Sequence, residues 1–158
     1  MRLPFSEEKI WKRMEIAHQI AMEAEGIRSK RSKFKIGAVL YVGNRLVSIG
    51  YNSRKSSPFQ ARFGRNRDAI FFHAETHAIY NALREHDEDE LVRHRTSLYI
   101  VRVKRNPENH SQVIWGLSSP CSGCMRAIQL YRIDHVFFSL DEDLYGGKKF
   151  GAISGTSG

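Results

Sequence analysis

His73-Ala74-Glu75-Thr76-His77-Ala78-Ile79-Tyr80-Asn81-Ala82-Leu83 places a metal-ligand side chain and a carboxylate two residues apart, then runs into good helix formers. Pro120-Cys121-Ser122-Gly123-Cys124 follows downstream and opens a second helical pattern. One imidazole and two thiolates are three ligands suited to zinc, with a fourth position left for water. Ligands this soft favour Zn2+ over metals that prefer oxygen. Glu75 is then a carboxylate outside the ligand set, beside that water, where it can move protons.

Outward from this stretch, the chain alternates helix and strand signals. Ser6 reads as an N-cap, with Glu7 and Glu8 at the positive end of the helix that follows. Ile10, Met14, Ala17, Ala21 and Ala24 recur at helical spacing up to a stop at Gly26, and His18 falls off that stripe as an exposed residue. Phe34 to Val42 reads as a strand, Gly43-Asn44 as a two-residue turn, and Arg45 to Tyr51 as the returning strand. A long loop covers Asn52 to Arg67, the His73 helix runs to about Arg84, and His86 to Glu90 is a solvated polar link. Ser97 to Val103 is a third strand, and Asn106 to Asn109 a turn. Val113 to Leu117 is a short hairpin arm, and Ile133 to Leu140 a fourth strand. Residues 1–150 form one domain, and the Gly/Ser-rich residues 151–158 read as a flexible tail. This order predicts an α/β layered domain, a mixed sheet with helices on both faces. Both metal segments open helices, where the dipole favours thiolates.

Composition narrows the partners. A chain of 158 residues can bury a proper core. No apolar run is long enough to span a membrane, and the N-terminal residues lack the apolar core of a secretory signal. Both cysteines lie in the C-x-x-C, which points to metal binding in a reducing cytoplasm rather than to a disulfide. A net charge of +8 implies acidic partners. The basic residues fall in two clusters, Arg28, Lys30, Arg31, Lys33 and Lys35, then Arg54, Lys55, Arg62, Arg65 and Arg67. Phosphate is the natural counter-ion, on a nucleotide or on a nucleic-acid backbone.

His77 lies one helical turn after His73, so a closed structural Cys₂His₂ site is the alternative to a catalytic one. In that site Glu75 and Pro120 would have no purpose. In the catalytic reading His77 lines the pocket or packs against it.

The combination of HAETHAIYNAL, SSPCSGCMRAI and Ile49-Gly50-Tyr51-Asn52 resembles the cytidine and deoxycytidylate deaminase superfamily, most of all the deoxycytidylate (dCMP) deaminases. The resemblance covers about residues 34–140 and implies a three-layer α/β/α fold with a mixed central sheet. It implies hydrolytic deamination of dCMP to dUMP and ammonia, with zinc-bound hydroxide attacking C4 of cytosine. A homo-oligomer, often a hexamer, and regulation by nucleoside triphosphates come with it. His73, Cys121 and Cys124 take the ligand positions and Glu75 that of the proton shuttle. Asn52 takes the place of a sugar-binding asparagine, though a strand-end turn is its other reading. Ala74, His77 and Ser119 join it as substrate contacts.

The chain departs from the family pattern in three places. His77 stands where an asparagine is usual, the loop from Ser53 to Phe72 is arginine-rich, and Lys104 to Trp115 looks like an insertion. Arg62, Arg65 and Arg67 are the candidates for phosphate contact, because a guanidinium fits a phosphate bidentately. Phe59, Phe63 and Phe72 are candidates to wall the base. Two rival functions stay open: a deaminase of single-stranded DNA or RNA, which the charge would suit, and a non-catalytic structural-zinc module that binds nucleic acid.

Overall fold

The computed structural model describes residues 3–24, 27–28, 33–53, 57–63, 73–93, 95–109, 111–143 and 147–155. In chain order they form α1 (Glu7–Glu23), β1 (Ile27–Arg28), β2 (Lys33–Val42), β3 (Arg45–Tyr51), α2 (Pro58–Ala61), α3 (Ala74–Glu85), α4 (Glu88–Arg93), β4 (Thr96–Arg105), β5 (Val113–Gly116), α5 (Ser122–Leu130), β6 (His135–Ser139) and β7 (Phe150–Ser154). The sheet is mixed. β2 lies between antiparallel neighbours β3 and β4, β6 runs parallel to β4, and β7 returns antiparallel to β6. β5 pairs with β4 at Arg102 to Arg105, beyond the segment that β6 takes at Ser97 to Ile100.

Alternation along the strands divides the core into two layers. Ala38, Leu40, Leu98, Ile100, Val136 and Phe138 face α3 and α5. Val39, Tyr41, Tyr99, Val101 and Phe137 face Ile10, Met14, Ala17 and Ala21 of α1. The expected three-layer α/β/α arrangement is therefore present. Ser6 caps α1 as its sequence indicates, its Oγ accepting the Lys9 N–H at 3.3 Å. α1 is also fastened by Arg13, which is 4% exposed. Its guanidinium donates to Tyr99 Oη at 2.7 Å and to the Gly43 carbonyl at 3.1 Å, and its Cζ sits 4.0 Å from the centre of the Tyr41 ring. These neutral acceptors and the ring face replace the water lost on burial.

α3 docks on β3 along three hydrogen bonds: Ser48 Oγ donates to the Ala78 carbonyl at 2.7 Å, Asn81 Nδ2 to the Ile49 carbonyl at 2.9 Å, and the Tyr51 N–H to His77 Nδ1 at 3.1 Å. The last two close outward-facing groups of an edge strand that would otherwise invite pairing. The approach is close because Gly50 has no side chain. A Cβ there would run into the backbone of Ala74 and Ala78.

Several expectations are corrected. α1 ends at Glu23, and Gly26 lies outside the described residues. His18 is partly buried, its Nδ1 accepting the Trp115 indole N–H at 2.9 Å. The loop after Asn52 contains α2, signalled by Ser57-Pro58, an N-cap followed by proline at the first helical position. The polar link at His86 to Glu90 leads into α4, held by buried Leu91. Of the segment 151–158 read as a tail, residues 151–154 instead belong to β7, and residues 156–158 lie outside the described residues. The β7 backbone pairs with β6, Phe150 and Ala152 pack toward α1, Ile153 packs toward the other layer, and Gly151 makes room for the Phe138 ring. A glycine-rich composition here serves close packing rather than freedom.

Gly50→Ala forces α3 away from β3. An overpacking cost of about 1–3 kcal/mol is expected in denaturant unfolding, and an unchanged midpoint would show that α3 does not depend on this contact.

Candidate metal centre and proton-transfer site

Two helix starts build the site. His73 is the N-cap residue of α3, in extended conformation, so its side chain projects from the helix start instead of lying along it. Cys121 is the N-cap of α5, and its Sγ accepts the Cys124 N–H at 3.4 Å. That bond places the two sulfurs of C-x-x-C on one side of the first turn. His73 Nδ1 faces both, 3.6 Å from Cys121 Sγ and 3.3 Å from Cys124 Sγ. The three ligand atoms lie within 4.8 Å of one another. Zinc–sulfur and zinc–nitrogen bonds of about 2.3 and 2.0 Å in a tetrahedron separate ligand atoms by roughly 3.5 Å. This donor set therefore fits zinc in both chemistry and size.

The charges agree. Hydrogen bonds from Cys124 and His73 lower the Cys121 pKa to about 3, so this thiol is a thiolate at neutral pH. Cys124 is pushed up, first by its hydrogen bond to Cys121 and then by burial. His73 is raised, mainly by its bond to Cys121, in the manner of a thiolate–imidazolium pair. Glu75 is 5% exposed on the first turn of α3. Burial raises its pKa, opposed by a hydrogen bond with Cys124 and by the His73 charge. A carboxyl poised in this way, adjacent to the donor set and outside it, suits proton transfer.

His77 does not join the ligand group. Its Nδ1 holds the Tyr51 N–H at 3.1 Å, and its ring meets that of Tyr51 edge-on at 4.7 Å. Asn52 is 2% exposed, and its Oδ1 accepts the Ile36 N–H at 2.8 Å, which ties the end of β3 to β2. Ala74 is fully buried as the first residue of α3, whereas Ser119 is exposed. Its neighbour Ser118 does the structural work. The Ser118 hydroxyl meets the Ile100 carbonyl, the Ser139 hydroxyl and the Ser139 N–H at 2.9 Å each, fixing the approach to Pro120 and Cys121.

Arg62 is exposed at the end of α2, its Cζ 5.5 Å from the centre of the Phe63 ring. The Phe63 carbonyl accepts from the Arg126 guanidinium and lies over Gly123, where a Cβ would collide with it. The segment bearing Arg62 thus abuts the turn between the two cysteines. Phe59 packs against Phe63, Tyr80 and Tyr131 as part of the core, and Phe63 is buried as well. Arg54, Lys55, Arg65, Arg67 and Phe72 lie outside the described residues. Gln60 was not singled out from the sequence. Its Oε1 accepts the His73 N–H at 3.1 Å and the Thr76 hydroxyl. An amide in a polar loop carries no signal of such a contact.

Comparison with known proteins agrees with this geometry. The family model for the cytidine and deoxycytidylate deaminase zinc-binding region matches residues 7–140. No curated protein sequence matches the chain. Among solved structures, dCMP deaminase from the cyanophage S-TIM5 in apo form aligns with a TM-score of 0.55 at 18% identity, covering 88% of each chain. The same enzyme in complex with dCMP and dUMP aligns at 0.55 and 16%, covering 85% of this chain and 82% of that one. Cytidine deaminase from Burkholderia pseudomallei aligns at 0.58 and 15%, covering 96% and 94%. Identities this low speak to the fold, while the family model spans most of the sequence and both metal segments. This chain belongs to the cytidine and deoxycytidylate deaminase family, and its cofactor is Zn2+.

Proposed function

We propose that the protein deaminates dCMP to dUMP, with His73, Cys121 and Cys124 holding zinc and Glu75 carrying the proton. The observation that carries this reading is the buried Glu75 carboxyl set beside, and not within, the His73–Cys121–Cys124 donor group. Zinc held there would lower the pKa of a water and so supply the nucleophile for C4 of cytosine. Glu75 would take the water's two protons in turn, passing the first to N3 of the ring and the second to the exocyclic amine, which leaves as ammonia while the water oxygen stays as the uracil carbonyl. Burial favours the protonated form of the Glu75 carboxyl, the form that donates a proton.

The choice of a monophosphate is supported by Arg62, which adjoins Phe63 where its carbonyl abuts Gly123, and by the likeness to the cyanophage S-TIM5 dCMP deaminase, solved both in apo form and with dCMP and dUMP. A guanidinium placed there suits a single 5′-phosphate. Asn52, Ala74, His77 and Ser119 are the remaining proposed substrate contacts. The +8 charge favours a second reading, deamination of cytosine or adenine in single-stranded nucleic acid, because many phosphates would then be neutralised.

Ammonia release from zinc-loaded protein offered dCMP, CMP, cytidine, deoxycytidine, adenosine and a cytosine-containing oligonucleotide separates these readings. Turnover of dCMP with silence on the oligonucleotide is expected, and the reverse pattern would replace the mononucleotide reading. Glu75→Gln should keep its zinc and lose about 10²-fold or more in turnover. Equal activity in this variant would remove Glu75 from the chemistry.

Removal of zinc by a chelator should abolish turnover, and added zinc should restore it. In the metal-free protein, alkylation of Cys121 should vary little from about pH 5 to pH 8, whereas an ordinary thiol gains roughly tenfold per pH unit there. The sign follows from the shift: a pKa lowered to about 3 leaves the thiolate populated throughout that range. Cys124, buried and raised, should react slowly, and bound zinc should protect both.

A further inference from the structure

We infer that Gln60 is a positioning residue of the metal centre, holding His73 and the start of α3 in register with the two sulfurs. The inference rests on His73, Cys121 and Cys124 as the zinc ligands.

α3 has a defect at its beginning. An N-cap side chain normally accepts a hydrogen bond from the first turn, but His73 makes no such bond because its Nδ1 faces the sulfurs. The backbone N–H of His73 must also find a partner. Gln60 answers from a different element. Its side chain is 1% exposed, and its Oε1 receives the His73 N–H at 3.1 Å together with the hydroxyl of Thr76, itself fully buried. A backbone N–H can only donate, so the atom facing it is the amide oxygen and not the nitrogen. Thr76 Oγ1 also lies 3.2 Å from the His73 carbonyl, which closes the turn on itself. Glu75 sits between the two residues that this one oxygen ties down.

Gln60 is itself held. Ser57 caps α2, its Oγ accepting the Phe59 N–H at 3.2 Å, and Phe59 is wedged among Phe63, Tyr80 and Tyr131. The far end of the turn reaches the other half of the site, where the Phe63 carbonyl accepts from Arg126 and lies over Gly123. The short segment from Ser57 to Phe63 thus touches α3 one residue from its start and α5 between its two cysteines. Groups that orient a ligand from behind typically change metal affinity by tenfold or more when lost.

The test compares zinc affinity, by competition with a chromophoric chelator, with unfolding of each metal-free variant. Gln60→Met removes the acceptor at similar length. Gln60→Glu keeps an oxygen acceptor, which a helix start favours as a carboxylate. Ser48→Ala removes a different buried bond to α3, at the Ala78 carbonyl. Gln60→Met is expected to lose about 10- to 100-fold in zinc affinity, Gln60→Glu to recover most of it, and Ser48→Ala to bind zinc as the unaltered protein does despite lower stability. Unchanged affinity in Gln60→Met, or an equal loss in Ser48→Ala, would overturn the inference. Should Gln60→Met not fold, Gln60→Asn withdraws the same amide by one methylene and makes the same comparison. An unaltered protein that takes up no zinc would overturn the ligand assignment beneath it, a result distinct from either.

Discussion

Three donor atoms from two separate helix starts must be held face to face, and the rest of the molecule answers to that requirement. Cys121 serves twice, since its sulfur caps α5 through the Cys124 N–H while facing His73 Nδ1. His73 cannot serve twice, because its imidazole is turned to the sulfurs. One helix start therefore caps itself and the other is secured by Gln60 from outside. The asymmetry follows from the ligands. A thiolate keeps lone pairs for a backbone N–H while facing a cation, whereas an imidazole has one nitrogen to offer in that direction.

The sheet makes the two starts rigid with respect to each other. α3 is pressed onto β3 at Gly50 and stitched to it by Ser48, Asn81 and His77. α5 follows a segment locked between β4 and β6 by the buried Ser118–Ser139 network. Because β2 pairs with both β3 and β4, and β4 with β6, these two anchorages share one hydrogen-bonded platform. His77 belongs to this scaffolding. The residue that looked like a possible fourth ligand closes a strand edge instead.

Electrostatics separates two carboxyl-type and thiol roles in a small volume. Hydrogen bonding favours the charged form of Cys121, while burial favours the neutral form of Glu75. Cys121 and Glu75 are thereby biased toward opposite protonation states, one suited to facing a cation and the other to proton transfer.

Much of this was legible in the residues themselves. The H-x-E and P-C-x-x-C segments name their chemistry because metal coordination and proton transfer demand particular atoms, and few other residues supply them. The strands from Phe34 to Tyr51 and the turn at Gly43, whose φ is +58°, were legible because period-two patterning and left-handed glycine are local properties. The strand at Phe150–Ser154 was not, since glycine content reads as freedom until an aromatic ring such as Phe138 is found above Gly151. Nor were the bonds of His18, His77 and Gln60, whose partners lie 97, 26 and 13 residues away along the chain. The sequence by itself determined which side chains are able to make a metal centre and the alternation that builds the sheet. The tertiary structure alone decided which side chains hold those atoms still, because a tertiary hydrogen bond is chosen by what folding brings within bonding distance and not by residue type.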